Sequence, residues 1–164
     1  MKHTFLATLL ALAITASAAL SAPANLTSTD ALGKLRVGMA GPAVIAAIGH
    51  PNQKIRTPLA RHSKFYSEQW VYKKLGLDLV FTNKGHVKSE AVWGVTANPP
   101  CTLSTARGIH IGSPESAIRT AYAKDINKAQ STPYSIVAGS IDGGLIFTLN
   151  RGKVMRIFLG DAKI

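Results

Sequence analysis

The hydrophobic positions of this chain follow a helical period first and a strand period afterwards. Val44, Ala47 and Ile48 recur at the i, i+3, i+4 spacing of one helix face. Farther along, apolar and polar residues alternate through Gln69–Lys73 and through Leu77–Phe81, as they do in strands that bury one face. Because no long crossover is needed to connect these strands, the pattern predicts a helix packed on an antiparallel sheet.

Capping and turn residues add two elements to this first half. Thr27–Asp30 supplies N-cap residues for a short helix that runs to about Lys34, and Gly38 breaks the chain before the next helix. A tight turn at Asn83–Gly85 leads into a further strand at Val87–Trp93. The first half is therefore predicted to run helix, helix, antiparallel sheet.

The second half of the chain repeats these signatures. Leu35–Met39 is echoed by Ile109–Ser113, and Val80–Val87 is echoed by Phe147–Val154. Two copies of one small unit bury a continuous core only when they pack together. The strands of the second copy are expected at Ser135–Ala138, Leu145–Leu149 and Val154–Leu159.

Asn98–Pro100 is the predicted linker between the two units, because neither of its prolines can donate a hydrogen bond to a strand ladder. We therefore predict an α+β fold in which two tandem helix-helix-antiparallel-sheet repeats lie side by side. The first repeat is assigned to residues 25–98 and the second to residues 99–164.

Residues 1–24 have the three regions of a secretory signal peptide. Met1–His3 gives a positive start, Thr4–Ala19 is almost wholly apolar or small, and cleavage patterns end at Ala18, Ala22 or Ala24. The apolar run is too short for a comfortable membrane span, and no cysteine lies nearby to take a lipid. We expect a periplasmic or secreted protein with no membrane span.

Charge narrows the class of partner. The chain has 19 Lys and Arg residues against 8 Asp and Glu residues, a formal net charge of +11. Such an excess favours an acidic protein surface, an anionic lipid or an anionic envelope polymer, whereas export disfavours nucleic acid. Cys101 is the only cysteine, so the chain forms no internal disulfide.

No residue pattern points to catalysis. The chain has no GxSxG, P-loop, GxGxxG or CxxC motif, and its eight acids form no recognisable pair. His50, His62, His86 and His110 are widely spaced and give no helical metal-binding pair. We therefore expect no catalytic residue, no metal site and no cofactor.

Two features are candidates for recognition. The first is the basic stretch 54–64, interpreted as a loop, with Lys54, Arg56, Arg61 and Lys64; it lies where the first repeat is longer than the second. It would suit an acidic partner, or it is simply a solvated loop.

The second feature is a set of aromatic residues, Phe65, Tyr66, Trp70, Tyr72 and Trp93. Aromatic side chains are enriched at binding hot spots, and they are equally common in a core between a sheet and helices. Trp70 and Tyr72 share one strand face, so they are expected to have the same role.

The first half resembles the SmpA/OmlA (BamE-type) envelope proteins. The resemblance rests on Lys34–Met39, Ile48–Pro51, the aromatic strand Trp70–Tyr72 and the Gly-x-Val end of the strand turn, Gly85–Val87. The lipidated N-terminal cysteine of that family has no counterpart here. The second half keeps fewer of the matching positions.

A tandem pair of such units is also similar to the beta-lactamase inhibitor proteins, in which two helix-helix-sheet units form one curved platform. These resemblances imply protein recognition without catalysis, through the sheet face and the basic loop, by a module of the bacterial cell envelope. Inhibition of an exported enzyme such as a serine beta-lactamase is one alternative. Binding of an anionic envelope polymer or lipid is another.

Overall fold

The alternating side chains of the chain build one antiparallel sheet. A computed structural model describes residues 25–58, 66–82 and 91–162. The strands are β1 (Gln53–Pro58), β2 (Tyr66–Tyr72), β3 (Leu77–Thr82), β4 (Ala91–Ala97), β5 (Ser135–Ala138), β6 (Gly144–Asn150) and β7 (Lys153–Gly160). Their order across the sheet is β1-β2-β3-β4-β7-β6-β5. The last strand in the chain therefore lies inside the sheet, next to its central strand β4, and β1 and β5 are the two edges.

One antiparallel ladder includes all of these strands, with register shifts between Val80 and Phe81 in β3 and between Thr148 and Leu149 in β6. Each pairing is antiparallel, and β4 pairs with β7 through four residue pairs, from Gly94 opposite Gly160 to Ala97 opposite Ile157. One row of directly opposed, buried residues crosses six strands: Trp70, Leu79, Val95, Leu159, Leu145 and Ala138. Because side chains alternate between faces, this row and its neighbours two residues away form the core side of the sheet.

Two short helices cover that core side, which we call the covered face. Helix α1 (Gly41–Ile48) and helix α2 (Glu115–Ala121) bury Val44 and Ile118, respectively. Gly41 opens α1 directly over the ring of Trp70, where a Cβ atom would lie 2.9 Å from Cη2. Just after α2, the ring of Tyr122 lies 5.4 Å from that of Phe147 on β6. The opposite side of the sheet is the open face.

The expected fold of two helix-helix-sheet repeats is wrong. The described chain forms a single seven-stranded sheet with two short helices, because β4 and β7 join the strands of both halves into one ladder. Residues 27–34, predicted to be a helix, form turns, with Leu32 bridging Leu35. Gly33 has φ of +59°, outside the helical region. The proposed repeat limits and signal segment stay predictions, and residues 1–24 lie outside the described residues.

A buried carboxylate joins the N-terminal segment to the second half of the chain. Asp30 is 2% exposed, and its Oδ1 accepts hydrogen bonds from the backbone N–H groups of Ala31 (2.8 Å) and Ala106 (3.0 Å). Its Oδ2 accepts the hydroxyl hydrogen of Tyr122 at 2.8 Å. The residue that was expected to cap a helix therefore binds groups far along the chain.

We expect Gly76→Ala to destabilise the protein strongly. Gly76 ends a short 3₁₀ turn with φ of +63°, and a Cβ atom there would press on the carbonyl oxygen of Asn98 and lie 2.7 Å from the nitrogen of Cys101. The backbone would have to move to relieve these contacts. The expected loss in unfolding free energy is therefore about 3 kcal/mol, measured by urea denaturation.

The matched control is Gly152→Ala in the β6–β7 turn. Gly152 has φ of +70°, but no atom lies within 4 Å of its added Cβ. Only the left-handed backbone is penalised there, so the expected loss is about 1 kcal/mol. Equal losses at the two positions would show that the contact with Asn98 does not matter.

Candidate recognition surfaces

Positive and negative side chains are distributed differently in this fold. Every described Lys and Arg is exposed, whereas among the described acids Asp142 alone is exposed. The exposed bases are Lys34, Arg36, Lys54, Arg56, Lys73, Lys74, Arg107, Arg119, Lys124, Lys128, Arg151, Lys153 and Arg156. The described surface is therefore more cationic than the composition alone indicates.

Several of the acids are buried or form ion pairs within the fold, which lowers the negative charge presented to solvent. Asp30 is buried, and Asp125 accepts from Arg107 at 2.6 Å. Glu115 pairs with Arg119 one helical turn away, also at 2.6 Å. An approaching partner therefore meets a predominantly positive surface, which favours acidic groups on that partner.

A group of charged and aromatic side chains in mutual contact lies at the β1 edge, on the side of the covered face. We call Lys54, Arg56, Tyr66, Glu68 and Trp70 the edge cluster. Arg56 lies opposite Glu68 in the ladder and donates to its Oε2 from Nη2 (2.8 Å) and Nε (3.1 Å). Trp70 donates from Nε1 to the Oε1 of Glu68 at 2.6 Å. The carboxylate thus binds the edge strand to its neighbour.

The two cations of the edge cluster also stack on its aromatic rings. Lys54 Nζ lies 3.7 Å from the ring centroid of Trp70, and Arg56 Cζ lies 4.0 Å from that of Tyr66. Such contacts stabilise a cation that remains partly hydrated. The Lys54 and Arg56 side chains are still 47% and 58% exposed, so their charges can be reached from solvent.

The pKa of Glu68 is lowered although the residue is buried. Burial raises this pKa, but hydrogen bonds from Trp70 and Arg56 and the positive charges of Arg56 and Lys54 outweigh that effect. Glu68 is therefore ionised at neutral pH. Its carboxylate helps to hold β1 in register, because it binds Arg56 of that strand and lies 4.0 Å from Lys54 Nζ of the same strand.

An aromatic residue with a pocket beside it lies on the open face. Gly94, Gly160 and Gly144 oppose one another on three adjacent strands, and the ring of Phe158 lies over the first two. A Cβ atom at Gly94 would lie 2.9 Å from Phe158 Cε2. The glycines therefore leave room for the ring to lie flat along the sheet.

Beside Phe158 is a cavity of about 320 Å³, which we call the open-face pocket. It is lined by Ile146, Thr148, Arg156, Phe158, Asp161 and Ala162. Half of this lining is apolar and half is polar or charged, and an aromatic ring beside an arginine is typical of protein-binding hot spots. Sequence reasoning missed this site, because Arg156 and Phe158 occupy ordinary alternate positions of a predicted strand.

The structure separates the residues predicted to bind a partner. Lys54 and Arg56 are exposed, but on a strand rather than in the expected loop. Trp70 and Tyr72 do have the same role, yet at 3% and 2% exposure both belong to the core. Trp70 packs on Phe81 with ring centroids 4.3 Å apart. Of the two roles left open for these residues, the structure thus shows the core role, with helix α1 covering Trp70.

The remaining predicted residues are partly buried or lie outside the described residues. The Tyr66 ring lies beneath Arg56, and the Trp93 indole donates to the backbone oxygen of Asp161 at 3.1 Å. Arg61, Lys64 and Phe65 fall in the segment that the structure does not describe.

Buried titratable groups elsewhere are explained by packing. Burial raises the pKa of Tyr122, whose hydroxyl binds Asp30, and burial also raises the pKa of the Cys101 thiol. Both side chains are therefore neutral at physiological pH. Across residues 25–58, 66–82 and 91–162, no three His, Cys, Asp or Glu side chains come together as a metal site.

Comparison of the chain with protein-family models, with curated proteins and with solved structures finds no match. Within the described part of the chain, neither helix has the length and apolar character needed to cross a bilayer.

We expect Glu68→Gln to lower stability in a pH-dependent way. Because the pKa of Glu68 falls below its ordinary value of 4.5 on folding, its ionisation stabilises the protein above pH 4.5. This contribution is lost as the pH drops through the lowered pKa. The variant should lose about 1–3 kcal/mol at pH 7 and progressively less toward pH 3, measured by denaturant unfolding.

The control for this variant is Glu115→Gln, which removes the carboxylate of a largely solvated helix pair. Its expected cost is below about 0.5 kcal/mol. If Glu68→Gln costs the same at both pH values, its effect comes from packing rather than from charge.

Proposed function

We propose that this protein is an exported, non-catalytic recognition module of the cell envelope that binds an acidic protein partner. The observation that carries the proposal is the charge distribution. All described bases are exposed, whereas most described acids are buried or ion-paired. A surface of this kind accelerates association with acidic partners and disfavours basic ones.

The open face supplies a contact area for such a partner. Phe158 and Ile146 are half-buried apolar residues in neighbouring positions, with Arg156 exposed beside them. An aromatic anchor, a pocket and an arginine are the groups that most often dominate binding free energy at protein interfaces. The partner is expected to place an apolar side chain in the open-face pocket and a carboxylate near Arg156.

A proteinaceous inhibitor would use the same surface, with the partner being an exported enzyme whose cleft is occluded. Dose-dependent loss of that enzyme's activity distinguishes an inhibitor from a scaffold. The wide spread of exposed bases favours a second candidate, an anionic envelope polymer or lipid. Binding of that kind falls steeply with salt and does not need Phe158.

The test is a pull-down from envelope extract at low and high salt with the purified chain as bait. The expected result is one protein retained in a fixed ratio at high salt. Retention of polymer or lipid alone, lost at high salt, would support the second candidate instead. If the bait retains no protein, polymer or lipid, the proposal is wrong.

We expect Phe158→Ala to weaken binding of the retained partner by at least about ten-fold, chiefly through faster dissociation, because the anchor is lost. The control is Leu75→Ala, which truncates an apolar residue that is 42% exposed at the β2–β3 turn, away from the pocket. Both variants are compared by surface-immobilised binding kinetics. Equal effects would exclude the open-face pocket from the interface.

Arg156→Gln should slow association by a few-fold and reduce its dependence on salt, because an exposed charge acts mainly on the encounter. Lys34→Gln makes the same change of charge in the turn segment before α1 and is the matched control. Identical salt dependence in the two variants would show that only the total charge matters.

A further inference from the structure

The two edges of the sheet differ in the hydrogen bonding of their outward backbone N–H and C=O groups. At the β5 edge, residues 125–131 lie along the strand: Asn127 donates to the Val137 oxygen at 2.8 Å, and Val137 donates to Ser131 Oγ at 3.0 Å. Ile126 bridges Ala138, and Gly139 donates to the Asp125 oxygen at 2.7 Å. This edge is closed to further strands.

The β1 edge lacks such cover within the described part of the chain. All six residues of β1 are exposed, and its ladder partner is β2 alone. Of the other backbone hydrogen bonds between described residues, none reaches the outer side of β1. Such a row of donors and acceptors is a template for an added strand unless something prevents it.

The charges of β1 determine which strand it can accept. Lys54 and Arg56 alternate with Ile55 and Thr57, so cations occupy one side of the edge and uncharged residues the other. Pairing β1 with the β1 strand of a second copy would set the cations of one strand opposite those of the other. Like charges in opposed positions are unfavourable. An acidic strand would instead place carboxylates beside both cations.

The edge cluster makes this template rigid. Glu68 fixes Arg56 and Trp70, and the Trp70 and Tyr66 rings carry the two cations in defined positions. Preorganised side chains reduce the ordering cost of binding.

We propose that β1 receives an extended acidic segment of the partner as an eighth strand. Main-chain hydrogen bonds would supply affinity, and the pairing of carboxylates with Lys54 and Arg56 would supply selectivity and direction. This inference rests on the proposed function, since it specifies how the acidic partner is engaged. It adds a second contact, distinct from the open-face pocket.

The test uses the ¹⁵N-labelled chain and a blocked heptapeptide of alternating glutamate and valine. Binding is followed by amide shifts and by hydrogen exchange of residues 53–57. We expect saturable binding with slower exchange in β1. A peptide with lysine in place of glutamate, and a glutamate–valine peptide with alternate backbone nitrogens methylated, should each bind at least about ten-fold more weakly.

Variants of the chain separate this site from the open face. Ile55→Asp places a negative charge on the exposed edge and should weaken peptide binding by about ten-fold, whereas Ile55→Val should not. Phe158→Ala should leave peptide binding unchanged. Hydrogen exchange of unbound Ile55→Asp, compared with the parent chain, establishes that its β1 is still formed.

Three outcomes would overturn strand addition while leaving the proposed function in place. One is peptide binding that shifts Phe158 and Arg156 without protecting β1. Another is equal affinity for the methylated and unmethylated peptides, which would mean that charge alone acts. The third is absence of peptide binding at millimolar concentration by a chain that retains a protein in the pull-down. If the chain also retains no protein, both proposals fail.

Discussion

The pairing of β4 with β7 is the constraint on which the rest of this structure depends. Only through the four pairs between Gly94–Ala97 and Ile157–Gly160 do the strands from the two halves of the chain share a ladder. That junction makes the row from Trp70 to Ala138 continuous, so both helices pack against one core. It also brings Gly94 beside Gly160, which gives Phe158 its place on the open face.

The same junction explains why the covered face and the open face have different roles. On the covered face, large side chains such as Phe81 and Phe147 are fully buried in the core. On the open face, Gly94 and Gly160 lie beneath the half-buried ring of Phe158. The proposed open-face contact thus uses residues outside the core, whereas the edge cluster includes Glu68 and Trp70, which are buried.

The local pattern of hydrophobic residues predicted several strands of the sheet. It did not predict the edge strand β1 or the distribution of charge on the surface. The alternation at Gln69–Lys73 and Leu77–Phe81 placed β2 and β3 closely, and helix spacing placed α1. Strand β1 was missed because Gln53–Pro58 has no buried face, and an exposed edge strand carries no alternation of hydrophobicity. The helix expected at residues 27–34 failed because the partners of Asp30 lie far along the chain. Composition gave the net charge, but not the burial of the acids.

The position of β7 has a consequence for how the chain acquires its structure during synthesis. The first half cannot complete its core when it leaves the ribosome, because its partners are synthesised later. Strand β4 pairs with the last strand, and Asp30 binds Ala106 and Tyr122. Leu26 likewise donates to the Gly143 oxygen, at 3.0 Å, near the start of β6. Early residues therefore remain without their native partners until almost the whole chain is available. Folds that depend on such non-local contacts also form slowly. Until Lys153–Gly160 has been made, β4 is therefore an open sheet edge, the part of a β-sheet protein that most readily pairs with another chain.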